Sequence, residues 1–162
     1  MTPDWLAPDA LALAGLLLSS HQQAFAAPLL AGLAADASPR LAAQELFAAE
    51  VVVLAHDGAD PAADPGPRLI YANRAALRLW QRSWAAMVGM PSRLTAEPAE
   101  RASRRQALVA AQAQHALSGY SGIRIDSTGR RFQIEGARLW TLRDEAGQPC
   151  GQAACFSRWW LL

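Results

Sequence analysis

Apolar and polar residues alternate most regularly in two runs between Gly119 and Leu142. The tetrapeptide Ser127-Thr128-Gly129-Arg130 separates the runs and has the composition of a hairpin turn. The pattern therefore predicts a long antiparallel hairpin. If all four residues form the loop, the strands pair as follows: Asp126 with Arg131, Ile125 with Phe132, Ile123 with Ile134, and Gly122 with Glu135.

This register gives the hairpin one apolar face and one charged face. Asp126 lies beside Arg131 on the charged face, and Arg124 lies diagonal to Glu135. Opposite charges on neighbouring strands attract each other, so we expect these four residues to form structural ion pairs. A shift of one residue would place isoleucine and phenylalanine among the charges.

The chain before the hairpin begins with apolar helical patterns. They predict helices from Pro8 to Ser20, from Pro28 to Leu33, and from Pro39 to Ala48, the last capped by Ser38. A β-branched run then predicts a buried strand, and Asn73 can cap the helix after the second strand. The remaining predicted elements are strands over 51–55 and 69–71, a helix over 74–81, a long helix over 99–117, and a last strand over 150–160.

This order of elements predicts an α+β fold rather than an alternating α/β fold. Five antiparallel strands with a helical block after the second strand describe a Per-Arnt-Sim (PAS)-like domain, in which a cavity lies between sheet and helices. We expect residues 1–48 to form an N-terminal helical extension and residues 49–162 to form the PAS-like domain.

The charged residues narrow the functional classes. The 162-residue chain has a net charge of +1, and all fifteen of its basic residues are arginine. The absence of lysine argues against Schiff-base enzymes, P-loop nucleotide hydrolases and protein kinases. Without a clustered basic excess, we expect no nucleic-acid partner.

The N-terminal sequence argues against a membrane segment. The apolar run from Ala10 to Leu18 is too short to cross a bilayer. Asp4 and Asp9, with no basic residue before the run, have the wrong charge for a signal peptide. We therefore expect a cytoplasmic protein without a membrane partner.

Five short motifs occur in an order that resembles the MEKHLA family, as a stand-alone member of bacterial type. The resemblance implies a PAS-related fold and a sensory or dimer-regulating role, with no ligand or catalytic residue common to the family. The motifs are Asn73-Arg74-Ala75-Ala76-Leu77, Pro91-Ser92-Arg93-Leu94, Tyr120-Ser121-Gly122-Ile123-Arg124-Ile125, Thr128-Gly129-Arg130-Arg131-Phe132 and Gly151-Gln152-Ala153-Ala154.

The cavity expected in such a fold defines a set of candidate ligand-binding residues. Trp80 and Trp84 lie four apart on one helix face, where their indoles can stack on a planar ligand or fill the core. His115 can ligate haem or simply form a hydrogen bond. The full set is Tyr71, Asn73, Leu77, Trp80, Trp84, His115, Ile123, Ile125, Phe132 and Ile134.

No cofactor can be identified from the sequence. The histidines have no metal-spaced partners, so no metal site is expected. Photochemistry of the light-oxygen-voltage type needs a reactive cysteine in the helical block that begins after Asn73. Cys150 and Cys155 both fall in the last predicted strand, so that mechanism is not expected, although a non-covalently bound flavin stays open.

The arginines allow two interpretations. Arg124 and Glu135 can form a polar site beneath a ligand or a cross-strand ion pair, and we favour the ion pair. Arg130 and Arg131, with Arg101, Arg104 and Arg105, can bind an anion or remain solvated, and solvation is the simpler interpretation.

Two functional hypotheses follow. The first is a PAS-like sensory, small-molecule-binding or dimerisation module without catalysis. The alternative is a small enzyme, or an enzyme-derived fold, that acts on an apolar substrate with Arg124, Glu135, His115 or Tyr120. The apolar first helix and the C-terminal tail, Arg158 to Leu162, favour a homodimer.

Overall fold

A computed structural model describes the whole chain, residues 1–162. Two helices precede the first strand, and three more, with short 3₁₀ turns, form a block between the second and third strands. The helices are α1 (Pro8–Phe25), α2 (Pro39–Ala48), α3 (Arg74–Trp80), α4 (Trp84–Met87) and α5 (Arg101–Gln114). None of them is both long and apolar enough to cross a membrane.

The strands form one antiparallel sheet in the order β2-β1-β5-β4-β3, with β6 paired to β4. The predicted α+β class with a helical block after the second strand is confirmed. The strands are β1 (Val52–His56), β2 (Leu69–Ala72), β3 (Ala116–Ile125), β4 (Arg131–Arg143), β5 (Pro149–Phe156) and β6 (Arg158–Leu161).

The last two strands continue one another along β4. Cys155 pairs with Arg138 and Arg158 pairs with Glu135, so the register is unbroken across Ser157. Gly136 lies opposite this break with φ +68°, a backbone conformation that favours glycine. β6 pairs with β4 alone, so its other edge is unpaired.

The two faces of the sheet have different covers. On the outer face, α1 and α2 bury a core that contains Leu17, Leu46 and Trp140. On the inner face, the helical block buries a second core around Trp80 and Phe132. The N-terminal helices and the helical block therefore lie on opposite sides of the sheet, except that Trp84 of α4 packs against the outer-face core.

Three of the predicted helices differ from the structure, and the first of them, α1, continues beyond Ser20 to Phe25. The segment 28–33 forms turns, in which Leu29 and Leu30 pack against the outer-face core. The long helix ends at Gln114, because His115 adopts the left-handed conformation with φ 63°. The next residues, predicted as helix, instead pair with β4, because ladder hydrogen bonds and burial override helical propensity.

The predicted register of the β3–β4 hairpin is wrong by one residue. Arg124 pairs with Phe132, and Ile125 pairs with Arg131. The loop has three residues rather than four, because Gly129 adopts a left-handed conformation (φ 89°) and the Asp126 N–H donates to the Arg130 carbonyl at 2.9 Å. Arg124 therefore lies on the inner face, and the two isoleucines of β3 lie on the outer face.

Asp126 holds this shorter loop together. One carboxylate oxygen accepts hydrogen bonds from the Thr128 and Arg130 amides and the Thr128 hydroxyl, at 2.7–3.0 Å. The other accepts from Arg130 Nε and Gln81 Nε2. Burial raises the pKa of Asp126, but the hydrogen bonds from Thr128 and Arg130 outweigh it and hold that pKa well below its usual range.

Asp126→Asn is expected to lower the free energy of unfolding at pH 7 by about 2 kcal/mol, because charged hydrogen bonds contribute about 1.5–3 kcal/mol each. The folded pKa lies below the unfolded value of about 3.9, so this stabilisation is complete above about pH 5 and is lost as the pH falls. Denaturant titrations from pH 7 to pH 2 should show the two proteins converging.

Asp144→Asn is the matched control, since Asp144 accepts one hydrogen bond from the Gln148 amide in an exposed turn. A constant difference between Asp126→Asn and the wild type across this pH range would contradict the role given to the Asp126 charge.

Candidate functional site

A small cavity lies between the inner face of the sheet and α5. Its volume is about 60 Å³, and most of its wall is apolar. A cavity of this size is large enough for ordered water or for a ligand of a few atoms. The apolar wall includes Leu54, Trp80, Leu108, Ile134 and Phe156.

A satisfied hydrogen-bond chain forms one polar part of the wall. His56 Nε2 lies 3.0 Å from Gln152 Oε1, and His56 Nδ1 accepts from the Gly58 amide at 3.0 Å. Gln152 in turn donates to the Leu108 carbonyl at 3.3 Å. Burial and then the positive charge of Arg104 lower the pKa of His56 to about 4. The imidazole is therefore neutral at pH 7, and both of its nitrogens are occupied.

Arg124 forms a second polar part of the wall. Its guanidinium donates to the Ile123 carbonyl at 2.9 Å and to the Tyr120 hydroxyl at 3.0 Å, and it lies 5.5 Å from the Tyr120 ring centroid. Gly122 leaves the space for this arrangement. A Cβ there would lie 2.7 Å from the Tyr120 hydroxyl oxygen and 3.0 Å from Arg124 Nη1.

Arg104 of α5 is the third polar group, and it has no partner. The residue is 9% exposed and lines the cavity, yet its side chain forms no hydrogen bond or salt bridge. Burial and then the nearby charge of Arg124 lower the pKa of Arg104 to about 9. Arg104 is still protonated at pH 7, so the cavity contains two positive charges and no carboxylate.

Two of the ten predicted ligand-binding residues, Trp80 and Ile134, line this cavity. Tyr71 and Trp84 lie on the other side of the sheet, where their rings meet edge-on in the outer core. Phe132 and Leu77 belong to the inner core but do not reach the cavity.

The other four candidates also lie elsewhere. Ile123 and Ile125 are half-buried on the outer face, because of the one-residue change in register. His115 is exposed at the end of α5, with Nδ1 3.3 Å from Thr141 Oγ1. Asn73 is fully buried and hydrogen-bonded to the backbone.

The predicted ion pairs are wrong. Arg124 and Glu135 lie on opposite faces of the sheet. The three-residue loop places Arg124 on the inner face, beside Phe132, whereas Glu135 lies on the outer face. The actual partner of Glu135 is Arg158, with Glu135 Oε1 3.7 Å from Arg158 Nη1. Asp126 pairs with Arg130 at 3.0 Å, and the predicted Asp126 partner Arg131 pairs instead with Glu97 at 2.7 Å.

Sequence reasoning did not identify His56 or Gln152 as cavity residues, and it favoured a solvated Arg104. Strand alternation offered one signal, since His56 follows Val52 and Leu54 on the same face of β1. The depth of Arg104 had no comparable signal, because it depends on how α5 packs on the sheet. Of the residues in the enzyme alternative, only Arg124 and Tyr120 face the cavity.

Several solved structures share this fold. An RNA-binding light-oxygen-voltage receptor superposes with a TM-score of 0.61 and 23% identity, over 80% of this chain and 35% of that one. The PAS domain of a Colwellia psychrerythraea protein superposes with a TM-score of 0.56 and 16% identity, over 70% of this chain and 89% of that domain. A light-oxygen-voltage domain studied with a flavin analogue superposes with a TM-score of 0.55 and 16% identity, over 78% of this chain and 86% of that one. These similarities establish a PAS-like fold.

Sequence comparison identifies the family. No curated protein matches this chain significantly. The model of the MEKHLA domain, however, matches residues 11–161. Since the match includes most of α1, the helical block and all six strands, the chain belongs to the MEKHLA domain family.

Proposed function

We propose that this chain is a sensory module that binds a small molecule in the cavity on the inner face of its sheet. The observation that carries the proposal is the cavity itself, where an apolar wall surrounds two buried cations that have no acidic partner. An apolar pocket with a few convergent polar groups is the usual form of a small-molecule site. Residues 1–48 act in this proposal as a cap for the outer face.

Native mass spectrometry of freshly purified protein, with an absorption spectrum, tests the proposal. A reproducible added mass that is lost on denaturation supports it. Ala107 lines the cavity, so Ala107→Leu should displace the bound molecule. Ala102 is exposed on the same helix, and Ala102→Leu is the matched control. An added mass that is retained in Ala107→Leu would place the ligand elsewhere.

We further propose that the module forms a homodimer through the outer face near the hairpin. Ile123, Gln133 and Trp160 are neighbours on adjacent strands there, and Trp160 is 44% exposed. Leu162 extends the apolar surface and is 61% exposed. A two-fold contact places this patch against its own copy, so that each apolar side chain meets an apolar surface.

Light scattering at tens of micromolar protein is expected to give twice the mass of one chain. Trp160→Glu should raise the dimer dissociation constant at least about tenfold, because it places a charge at the centre of the contact. Val109→Glu is the control, since Val109 is 50% exposed on α5, away from the patch. A monomeric wild type, or equal effects of the two variants, would contradict this interface.

A further inference from the structure

We infer that the ligand of this cavity is a small organic carboxylate, bound by the guanidinium groups of Arg104 and Arg124. The inference rests on the proposed function, because it gives the chemical class of the ligand for the same cavity. It follows from the charge, the hydrogen-bonding capacity and the shape of the site.

The charge of the cavity is unbalanced. Arg104 and Arg124 are 9% and 7% exposed, and all four salt bridges of the chain involve other residues. Removing a charge from water costs several kcal/mol unless an opposite charge compensates for it. Two arginines in one cavity also repel each other. A bound anion removes both penalties at once, and the protein itself supplies no carboxylate that could do so.

The free donors of the site match a carboxylate. Arg104 uses none of its five N–H groups, and Arg124 donates only to Ile123 and Tyr120. The Tyr120 hydroxyl accepts from Arg124 and donates to no protein group, so its proton is available. Guanidinium groups bind carboxylates through two parallel hydrogen bonds, and each oxygen accepts more than one donor.

The wall and the volume determine the rest of the ligand. Leu54, Leu108 and Phe156 give an anion no polar contact, which disfavours a fully hydrated inorganic ion such as sulfate. A carboxylate with a short apolar body places its charge on the arginines and its carbons on this wall. At about 60 Å³, the cavity limits that body to a few atoms.

A basic cleft lies next to the site and shares Arg104 with it. The cleft has a volume of about 180 Å³ and is lined by three prolines with Arg93, Arg101, Arg104 and Arg105. Arg104 lines both this cleft and the cavity. Clustered positive charge raises the local concentration of anions, so the cleft attracts the ligand to Arg104.

Titration of the full chain with sodium propionate, followed by nitrogen–proton correlation NMR, tests the inference. Propionamide has the same shape without the charge, and sodium sulfate supplies charge without the apolar body. We expect saturable shifts at residues around the cavity with propionate alone. Arg104→Gln and Arg124→Gln should each weaken binding at least about tenfold. Arg40→Gln should bind normally, since Arg40 is exposed on α2 and lines neither the cavity nor the cleft.

The stability of the unliganded protein separates binding from a structural role. Arg104→Gln removes an unpaired buried charge, so its denaturation midpoint should equal or exceed that of the wild type. A lower midpoint would identify Arg104 as a structural residue and overturn the inference. Equal responses to propionate and propionamide, or to propionate and sulfate, would also overturn it.

The failure of this inference and that of the proposed function are distinguishable. A neutral molecule found by native mass spectrometry, and displaced by Ala107→Leu, would refute the carboxylate but support a sensory cavity. If no molecule copurifies and none of the three probes shifts a cavity resonance, both proposals fail.

Discussion

Phe132→Ala is expected to lower the free energy of unfolding by about 3–5 kcal/mol, the range for large-to-small changes at buried aromatic positions. Phe132 is 0% exposed in the inner core. Its ring meets Trp80 and Trp159 edge-on, with centroids 5.1 Å and 6.1 Å away. The variant thus removes contacts with a helix of the block and with β6, and the rigid sheet can close the resulting space only in part.

Equilibrium denaturation monitored by circular dichroism measures this effect. Val109→Ala is the control, because Val109 is an exposed apolar residue whose truncation opens no cavity. The control should change stability by less than about 0.5 kcal/mol. An unchanged midpoint for Phe132→Ala would mean that β4 does not place this ring in the core.

Asn73→Ala is expected to cost about 4 kcal/mol, because it leaves several buried backbone groups without partners. Asn73 Oδ1 accepts from the Val53 and Ala76 amides at 3.0 Å and 3.1 Å. Its Nδ2 donates to the Leu46 and Val51 carbonyls at 3.2 Å and 2.7 Å. One buried side chain therefore joins α2, the start of β1 and the first turn of α3.

Ser38→Ala is the matched control for Asn73→Ala. Ser38 caps α2 through its hydroxyl, which accepts from the Leu41 amide at 3.1 Å, but that cap is exposed. Losing an ordinary cap costs about 1 kcal/mol. If both variants lost the same stability in denaturant titrations, Asn73 would be a helix cap and no more. Asn73→Asp should also be strongly destabilised, since a carboxylate cannot donate to the two carbonyls.

The hydrophobic pattern predicted the class and order of the elements because periodicity is a local property. Asn73 was correctly predicted as a helix cap from its place before Arg74. Its three other hydrogen bonds reach back 20–27 residues along the chain, and no local pattern encodes them. The sequence could therefore reveal that Asn73 caps α3, but not that its side chain also joins α3 to α2 and β1.

The hairpin shows how a single conformation changes a prediction. Composition located the turn correctly, but the same amino-acid sequence is compatible with a loop of three residues and with a loop of four. The left-handed Gly129 and the hydrogen bonds to Asp126 select the shorter loop. This choice puts Arg124 into the cavity and Ile123 on the outer face, which reverses the predicted sides of β3.

The sequence by itself determined the α+β class, the place of the helical block and the MEKHLA family, because these depend on local periodicity and on motifs in order. Only the tertiary structure decided the strand register, the partners of the charged residues and the position of the cavity. Arg104 is the clearest case. As one of several arginines in a helix it suggests a solvated side chain, and only the packing of α5 on the sheet buries it beside Arg124. Burial and charge proximity are properties of distant segments brought together, so no single stretch of the chain specifies them.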